Sequence, residues 1–420
     1  MTKVVIIAGG KGTRIAALNS EIPKAMIPVC GKPVLERQIE MACRYGFTDI
    51  IILVGHLGEV IKDYCGDGSR WGARITYYHE KTPLGTAGAL AEIRDLLSDD
   101  FFVFYGDTVM DIYMPAMLKF HQQHRADATL LLHPNDHPYD SDIVVTDKDG
   151  RVTAFQCKPH PDNLVCHNLV NAALFIFSPQ VTDCIQRGRK SHIEKDILPQ
   201  CLSNGMRIYG YISTEYVKDM GTPQRYEQVC RDWQNGRVAA MNCQQKRKAV
   251  FLDRDGVLNQ DCGLVYKPEQ LVLIEGVEKA LQLIHHHGYL AVVVTNQSVI
   301  ARNLCSFEEL DIINQTLETL LGKRNTYIDG LYFCPHHPHG GYPEERKEYK
   351  VACTCRKPEP GLLLKAAEEL NIDLSESVMI GDRESDREAG IRAHVKKSFL
   401  VPTNQPGALY EALTKYFAEI

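Results

Sequence analysis

A chain of 420 residues, 44% apolar and 24% charged, has the makeup of an ordinary globular protein and room for two domains or more. Its formal charge of −6 argues against nucleic-acid and anionic-membrane partners, and no apolar run approaches the ~20 residues that span a bilayer. The 14 cysteines are diluted over a long chain, and Met1-Thr2-Lys3 runs straight into Val4-Val5-Ile6-Ile7. That pattern predicts a cytoplasmic, reducing setting with mostly free thiols beside one metal site.

Residues 3–8 read as a strand of a buried parallel sheet, followed at once by Gly9-Gly10-Lys11-Gly12-Thr13-Arg14. Such a turn lets backbone N–H groups approach a polyphosphate. It is not a Walker A loop, since no Gly-Lys-Ser/Thr closes it, and Ile15 breaks the dinucleotide fingerprint. Lys24 follows between Pro23 and Pro28, which stiffen its loop. Residues 35–45 have helical spacing, 50–54 form an apolar strand, 59–64 a short helix and 75–79 another strand. Glu80 then leads through Gly85, Thr86 and Gly88 into a helix, and the strand 101–105 ends in Gly106-Asp107. The alternation predicts a mostly parallel sheet, with Asp107 at a strand end suited to Mg²⁺. From about residue 128 strands come in close succession, at 128–133, 143–146, 152–156 and 169–177. Lys158-Pro159 and Asn171-Ala172 fall among them. Asp219 comes later, just before a turn and a helix start.

Gly-Gly-x-Gly-Thr-Arg, Pro-Lys, Glu-x-x-Pro-Leu-Gly-Thr-Ala-Gly-Ala, Gly-Asp, Lys-Pro, Asn-Ala and Asp-x-Gly-Thr-Pro stand here in the order seen in sugar-phosphate nucleotidyltransferases. The resemblance covers about residues 1–233. It implies a Rossmann-like, GT-A-like α/β domain making an NDP-sugar and pyrophosphate. By it, Gly9, Gly10, Gly12, Thr13 and Arg14 cradle the triphosphate, Arg14 offsetting the leaving pyrophosphate. Lys24 stabilises the α-phosphorus; Glu80, Gly85, Thr86 and Gly88 border the nucleoside. Asp107 and Asp219 hold Mg²⁺, while Lys158 and Asn171 face the sugar phosphate. Cys157 departs from the pattern, standing where that family has glutamate.

Residues 236–248 are polar and end basic, and are expected to link a first domain (1–235) to a second (249–420). Val250-Phe251-Leu252 reads as a buried strand ending in Asp253-Arg254-Asp255-Gly256, two carboxylates at the lip of a crevice. A helix is expected at 276–287 and a strand at 289–294, ending in Thr295 and Asn296. The histidines 285–287 point in different directions and suit a solvated helix end. Cys334-Pro335-His336-His337 and Cys353-Thr354-Cys355 offer Cys-x-His and Cys-x-Cys pairs for tetrahedral zinc, His337 and His339 being the alternative imidazoles. With no position left for water, that site is expected to be structural. Arg356 and Lys357 come directly after it, and the strand at 378–381 runs into Asp382 and Asp386.

The Asp pair, the strand-end Thr, the loop Lys and the last Asp resemble the four motifs of the haloacid dehalogenase phosphatases over residues 249–420. The resemblance implies that Asp253 attacks phosphorus and Asp255 moves the proton. Thr295 and Lys357 then hold the phosphoryl oxygens. Mg²⁺ sits on Asp253, Asp255 through its carbonyl, and Asp382, with Asp386 in support. Only about 40 residues separate Asp255 from Thr295, so no cap domain is expected and the zinc loop walls an open site. Asp-Arg-Asp-Gly-Val-Leu-Asn, Thr-Asn-Gln-Ser-x-Ile-Ala-Arg and the Cys/His run are similar to heptose 1,7-bisphosphate 7-phosphatases. Arg302 and Arg356 would take the retained phosphate. Such a half fits ahead of a heptose 1-phosphate guanylyltransferase half. The implied partners are then heptose bisphosphate, heptose 1-phosphate and GTP or another NTP, with a homo-oligomer left open.

Overall fold

The computed structural model describes residues 2–10, 22–340 and 344–419, so Gly12, Thr13 and Arg14 lie outside the described residues. The chain forms two compact units. One comprises Met1–His133, Asp142–Cys157 and Leu169–Asn242; the other comprises Pro134–Ser141, Lys158–Asn168 and Cys243–Ile420.

The first unit begins with strands β1 (Lys3–Ile7), β2 (Pro28–Val29), β3 (Lys32–Pro33), β4 (Asp49–Val54), β5 (Arg74–His79), β6 (Phe101–Tyr105) and β7 (Thr108–Asp111). It continues with β8 (Ala128–His133), β9 (Ile143–Thr146), β10 (Val152–Gln156), β11 (Val170–Phe177), β12 (Ile208–Ile212) and β13 (Tyr216–Asp219). Among the described residues nine of these form one sheet in the order β10-β9-β11-β6-β1-β4-β5, with β8 beside β11 and β12 beyond it. β6, β1, β4 and β5 are parallel, whereas β11 runs antiparallel to β6 and β8. The sheet is mixed because the later strands succeed one another too closely for crossover helices. Successive side chains alternate between faces. Val4, Ile6, Ile50, Ile52, Phe102 and Phe104 fill one core, and Val5, Ile51, Leu53, Phe101 and Val103 the other. Both faces being covered, these strands read as unbroken apolar runs.

The second unit holds β14 (Lys248–Leu252), β15 (Tyr289–Asn296), β16 (Gly330–Cys334), β17 (Val378–Gly381) and β18 (Lys397–Leu400), all parallel, in the order β16-β15-β14-β17-β18. The first strand in sequence is thus central. Leu252 pairs with Val293 on one side and with Ile380 on the other, so Asp253, Thr295 and Asp382 leave the sheet at one rim. Between Asp255 and Thr295 the described chain makes a loop, a helix (Val277–His286) and β15, with no inserted domain. Two segments from the first half of the sequence complete this unit against the helix Phe307–Gly322. Cys166 N donates to Thr319 Oγ1 (3.2 Å), and Tyr139 Oη to the Thr319 carbonyl (3.3 Å). No helix among the described residues is long and apolar enough to cross a membrane.

Candidate active sites

In the first unit the groups gather where β1 and β6 run out. The Lys24 ammonium pairs with the Asp107 carboxylate. Asp219 ends β13, whose register with β7 sets it opposite Thr108, next door to Asp107. Both Asp219 oxygens accept from Arg225 Nη1 (2.9 and 3.0 Å). That arginine lies in the first turn of the helix Pro223–Gln234, which Thr222 caps through its hydroxyl. Gly9 packs so closely on the Glu80 carboxylate that a Cβ would strike it. Glu80 accepts from Leu84 N (3.2 Å), and burial raises its carboxyl above the usual range. Gly85 holds φ +78°, and a side chain there would strike the Ser191 carbonyl; Gly88 meets Arg189 the same way. Thr86 Oγ1 accepts from Ile193 N (2.9 Å), so the 85–88 turn is seated on residues 189–193. A Cβ on Gly10 would meet nothing within 4 Å among the described residues. Asn171 accepts from Ala173 N (3.1 Å). Lys158 lies in a segment of the second unit, where its ammonium donates to the Asp140 carbonyl.

The second unit is more tightly built. Lys357 Nζ lies 2.9 Å from Asp253 Oδ1 and 2.6 Å from Asp386 Oδ1, with all three side chains nearly or wholly buried. Asn296 fixes the lysine backbone reciprocally, accepting from Lys357 N (3.0 Å) and donating to its carbonyl (3.1 Å). Burial, abetted by Asp386 and Asp255 and opposed by Lys357, pushes the Asp253 carboxyl up to about 6. Asp382 accepts from Thr403 Oγ1 (2.8 Å) and is likewise raised, chiefly by burial. Its other oxygen is buried with no hydrogen-bond partner among the described residues. Carboxylate oxygens of Asp253, Asp382 and Asp386 lie within 4.8 Å of one another. Three carboxylates against one ammonium leave two negative charges unbalanced when all are ionised, and hard oxygen donors at that spacing fit Mg²⁺.

Asp255 faces elsewhere. The fully buried Arg254 grips it (3.0 Å to Oδ2), Asn259 donates to Oδ1 (2.9 Å) and Gln297 to Oδ2 (2.7 Å). Burial alone would raise its carboxyl; the Arg254 charge and these donors outweigh that and hold it low. Its side chain is therefore outside the carboxylate cluster, leaving its carbonyl for a metal. Gln297 also donates to Thr295 Oγ1 (2.9 Å), tying that hydroxyl to the same network. Gly256 sits at φ +86° against Asp382, a turn and a contact that suit only glycine.

Cys334, His336, Cys353 and Cys355 converge, with Sγ–Sγ separations of 3.1 to 3.6 Å and His336 Nδ1 3.4 and 3.6 Å from two sulfurs. The edges of a zinc tetrahedron with S and N ligands are about 3.5–3.8 Å, so the cluster is compatible with zinc. Hydrogen bonds from Cys334, then His336 and Cys353, draw the Cys355 thiol down to about 5. Of the three candidate imidazoles His336 is the one in the cluster; His337 Nδ1 bonds the His339 carbonyl instead (3.0 Å). Arg356 donates to the His336 carbonyl (3.0 Å), and Arg302 approaches Ser298 Oγ (3.3 Å) and His337 Nε2 (3.5 Å). Residues the sequence did not single out include Arg225, Arg254, Asn259 and Gln297. Arg254 and Asn259 stand in the Asp-Arg-Asp-Gly-Val-Leu-Asn run and Gln297 in the Thr-Asn-Gln-Ser run, which marked them without giving them a role; Arg225 had no signal.

Residues 3–236 match the nucleotidyl transferase family and residues 142–394 the haloacid dehalogenase-like hydrolases. The chain belongs to both families: it is a nucleotidyltransferase fused to a haloacid dehalogenase-like phosphatase. Where the matches overlap, the chain builds β9 to β13 of the first unit; the acids of the second begin at Asp253. The D-glycero-beta-D-manno-heptose-1,7-bisphosphate 7-phosphatase of Haemophilus influenzae is 44% identical over 159 residues, 38% of this chain and 84% of that protein. The mannose-1-phosphate guanylyltransferase of Mycobacterium tuberculosis is 35% identical over 237 residues, 55% of this chain; the match spans 64% of that relative. A solved Bacillus anthracis protein, described as a glucose-1-phosphate thymidylyltransferase in complex with a sucrose, is 21% identical. It covers 55% of this chain and 94% of its own, with a TM-score of 0.50, a likeness of fold.

Proposed function

We propose that the second unit removes the 7-phosphate of D-glycero-D-manno-heptose 1,7-bisphosphate, and that the first unit joins the remaining heptose 1-phosphate to GMP from GTP, releasing pyrophosphate. The observation that carries this reading is the convergence of Asp253, Asp382, Asp386 and Lys357 at one strand rim. Kinship supports the substrates: 44% identity to a heptose-bisphosphate phosphatase and 35% to a guanylyltransferase. In this reading residues 1–235 carry the transfer, 236–248 the join and 249–420 the hydrolysis, in the cytoplasm.

Asp253 attacks the 7-phosphorus in line; the Asp–P bond forms as the P–O bond to C7 breaks. Asp255 gives the leaving oxygen its proton, then takes one from the water that hydrolyses the acyl phosphate. The Arg254 pair favours the second role; the first requires Asp255 to enter the cycle protonated. Thr295 and Lys357 hold the phosphoryl oxygens, and Arg302 and Arg356 the phosphate that stays. Asp253, Asp382 and the Asp255 carbonyl, with Asp386 beside them, would hold Mg²⁺, which would supply charge neutralisation there. Cys334, His336, Cys353 and Cys355 would hold zinc, which would clamp the loop. In the first unit the sugar phosphate is itself the nucleophile, so the protein positions and neutralises. Gly9, Gly10, Gly12, Thr13 and Arg14 cradle the triphosphate and Lys24 meets the α-phosphate. Asp107 and Asp219 would hold Mg²⁺, Glu80, Gly85, Thr86 and Gly88 border the nucleoside, and Asn171 meets the sugar phosphate.

The test is phosphate release from α- and β-heptose 1,7-bisphosphate, followed by pyrophosphate release on adding GTP. One phosphate per bisphosphate and one pyrophosphate per GTP are expected. ATP or UTP turning over while GTP stays inert would reassign the base, and no phosphate from either anomer would remove heptose from the reading.

A further inference from the structure

Arg254 stands between two carboxylates of the second unit and addresses both. Its backbone N–H donates to Asp253 Oδ1 (2.7 Å). Its carbonyl accepts from Leu258 N (2.9 Å) and Asn259 N (3.1 Å), closing the turn around it. The side chain is wholly buried. Nε donates to Asp255 Oδ1 (3.2 Å) and Nη2 to Oδ2 (3.0 Å), the two prongs of a fork. Nη1 donates to Asn314 Oδ1 (3.2 Å). Asn314 is itself buried, on the helix Phe307–Gly322, so a distant element braces the guanidinium.

We infer that Arg254, braced by Asn314, is a positioning residue of the phosphatase reaction: it holds the Asp255 carboxylate off the metal cluster and leaves Oδ2 as the atom that exchanges the proton. The inference deepens the proposed hydrolysis and rests on the roles given there to Asp253 and Asp255. Asp255 is two residues from Asp253, yet its side chain is not among the clustered oxygens of Asp253, Asp382 and Asp386. A loose carboxylate so close would be drawn to any dication held there. A guanidinium resists that, because its fork matches the carboxylate plane and its charge is permanent. Buried ion pairs seldom out-stabilise apolar groups of the same volume, so what this pair supplies is direction. Oδ1 takes Nε, Nη2 (3.1 Å) and Asn259 (2.9 Å), which fills it; Oδ2 takes only Nη2 and Gln297 (2.7 Å). Asp255 keeps 22% of its side-chain surface exposed and Arg254 none, so the acid reaches the crevice and its holder does not. In the first step the Oδ2 proton passes to the C7 oxygen as the P–O bond breaks and the Asp253–P bond forms. In the second, Oδ2 takes a proton from the water whose oxygen displaces Asp253 from phosphorus, and both acids end as they began.

The experiment compares the wild type, Arg254→Met, Arg254→Lys and Asn314→Leu on heptose 1,7-bisphosphate and on p-nitrophenyl phosphate, whose leaving group needs no proton. Calorimetry measures Mg²⁺ binding to each. Arg254→Met should lower kcat on the bisphosphate about 10²- to 10³-fold, the scale of general acid–base catalysis, with KM within about threefold. On p-nitrophenyl phosphate it should release a burst of about one p-nitrophenol per chain, absent from the wild type, and then turn over slowly, because Asp253 is still phosphorylated while the second step has lost its base. Mg²⁺ binding should hold or tighten as Asp255 is freed towards the cluster. Arg254→Lys keeps the charge without the fork and should recover only part of the rate. Asn314→Leu should show the same burst with about a tenfold loss of kcat, the scale of one hydrogen bond to a charged group, and it decides alone if Arg254→Met does not fold. Equal losses on both substrates without a burst, weakened Mg²⁺ binding, or wild-type rates throughout would overturn the inference alone. A wild type that releases phosphate only from p-nitrophenyl phosphate removes heptose and leaves the burst to decide; release from neither overturns the proposed hydrolysis and this inference with it.

Discussion

In the second unit Asp253 and Asp386 share one buried ammonium with a carboxylate oxygen of Asp382 close by, whereas in the first Asp107 and Asp219 each have a cation of their own, Lys24 and Arg225. Buried surplus negative charge is costly until a proton or cation arrives. Asp253 shows this by holding its proton up to about 6. The second site is therefore poised for a dication before any substrate, with a nucleophile already at fixed range. The first is neutral pair by pair, and its acids are less buried. On the proposed reading, a dication there would have to displace Lys24 and Arg225, most readily when a triphosphate arrives to take those cations; one site would be charged in advance and the other by its ligand.

The largest expected effect separates the two chemistries. Asp253→Asn should cut phosphate release by at least about 10⁴-fold, as loss of a covalent nucleophile does. Pyrophosphate release from supplied heptose 1-phosphate should persist; loss of both would mean the sites are not independent. Lys24→Met should reverse the pattern, lowering nucleotidyl transfer about 10²- to 10³-fold while phosphatase activity stays put. Calorimetric Mg²⁺ titration sharpens the comparison further. Asp382→Asn should weaken binding in the absence of nucleotide, and Asp219→Asn should matter only when a non-hydrolysable GTP analogue is present. Equal effects without nucleotide would mean that both sites are charged in advance. Zinc removal comes next: Cys355→Ser should lower the metal content by one zinc per chain and the melting temperature of the phosphatase transition by several degrees, with transfer kinetics intact.

How much of the molecule was legible in the sequence depends on the kind of interaction. Strand ends were, because a run such as Val250-Phe251-Leu252 can only be buried, and the residue after it must emerge at the rim. The cysteine cluster was, because ligand spacing is local in sequence. Partners fixed by tertiary approach were not. Arg254 reads as one more charged residue, yet it is wholly buried, held by Asp255 and Asn314 (3.2 Å). His285 reads as part of a solvated helix end; instead it is buried against Asp329 (2.9 Å), while His287 stacks on Phe417. Alternation predicted parallel strands where β1, β4, β5 and β6 are parallel, and the close succession from residue 128 marked a change; that β11 turns antiparallel was not legible, since strand direction depends on connections rather than on composition. Residues 158–168 lie in the first half of the sequence but belong to the second unit, an assignment no local pattern encodes.

Those residues supply the smallest and most specific prediction. His167 Nδ1 lies 2.9 Å from Glu318 and Nε2 3.1 Å from Asp311, on one face of the helix Phe307–Gly322. Burial would lower the imidazole pKa, but hydrogen bonds and charges from Asp311 and Glu318 override it and raise it to about 10. The folded value lies above the unfolded one, near 6.5. The clamp's contribution is thus complete below about pH 6.5 and is lost as pH rises through about 10. Asp311, held below the usual carboxylate range chiefly by its hydrogen bond from His167, adds an acid limit as pH falls through its own titration. His167→Gln should therefore melt lower than the wild type by the widest margin near pH 6, the gap closing towards pH 10. Because the imidazole is about a third exposed, 0.5 M salt should shrink that gap at pH 6 as well. A gap indifferent to both pH and salt would mean that His167 only packs, and that Asp311 and Glu318 do not hold a charged imidazolium between them.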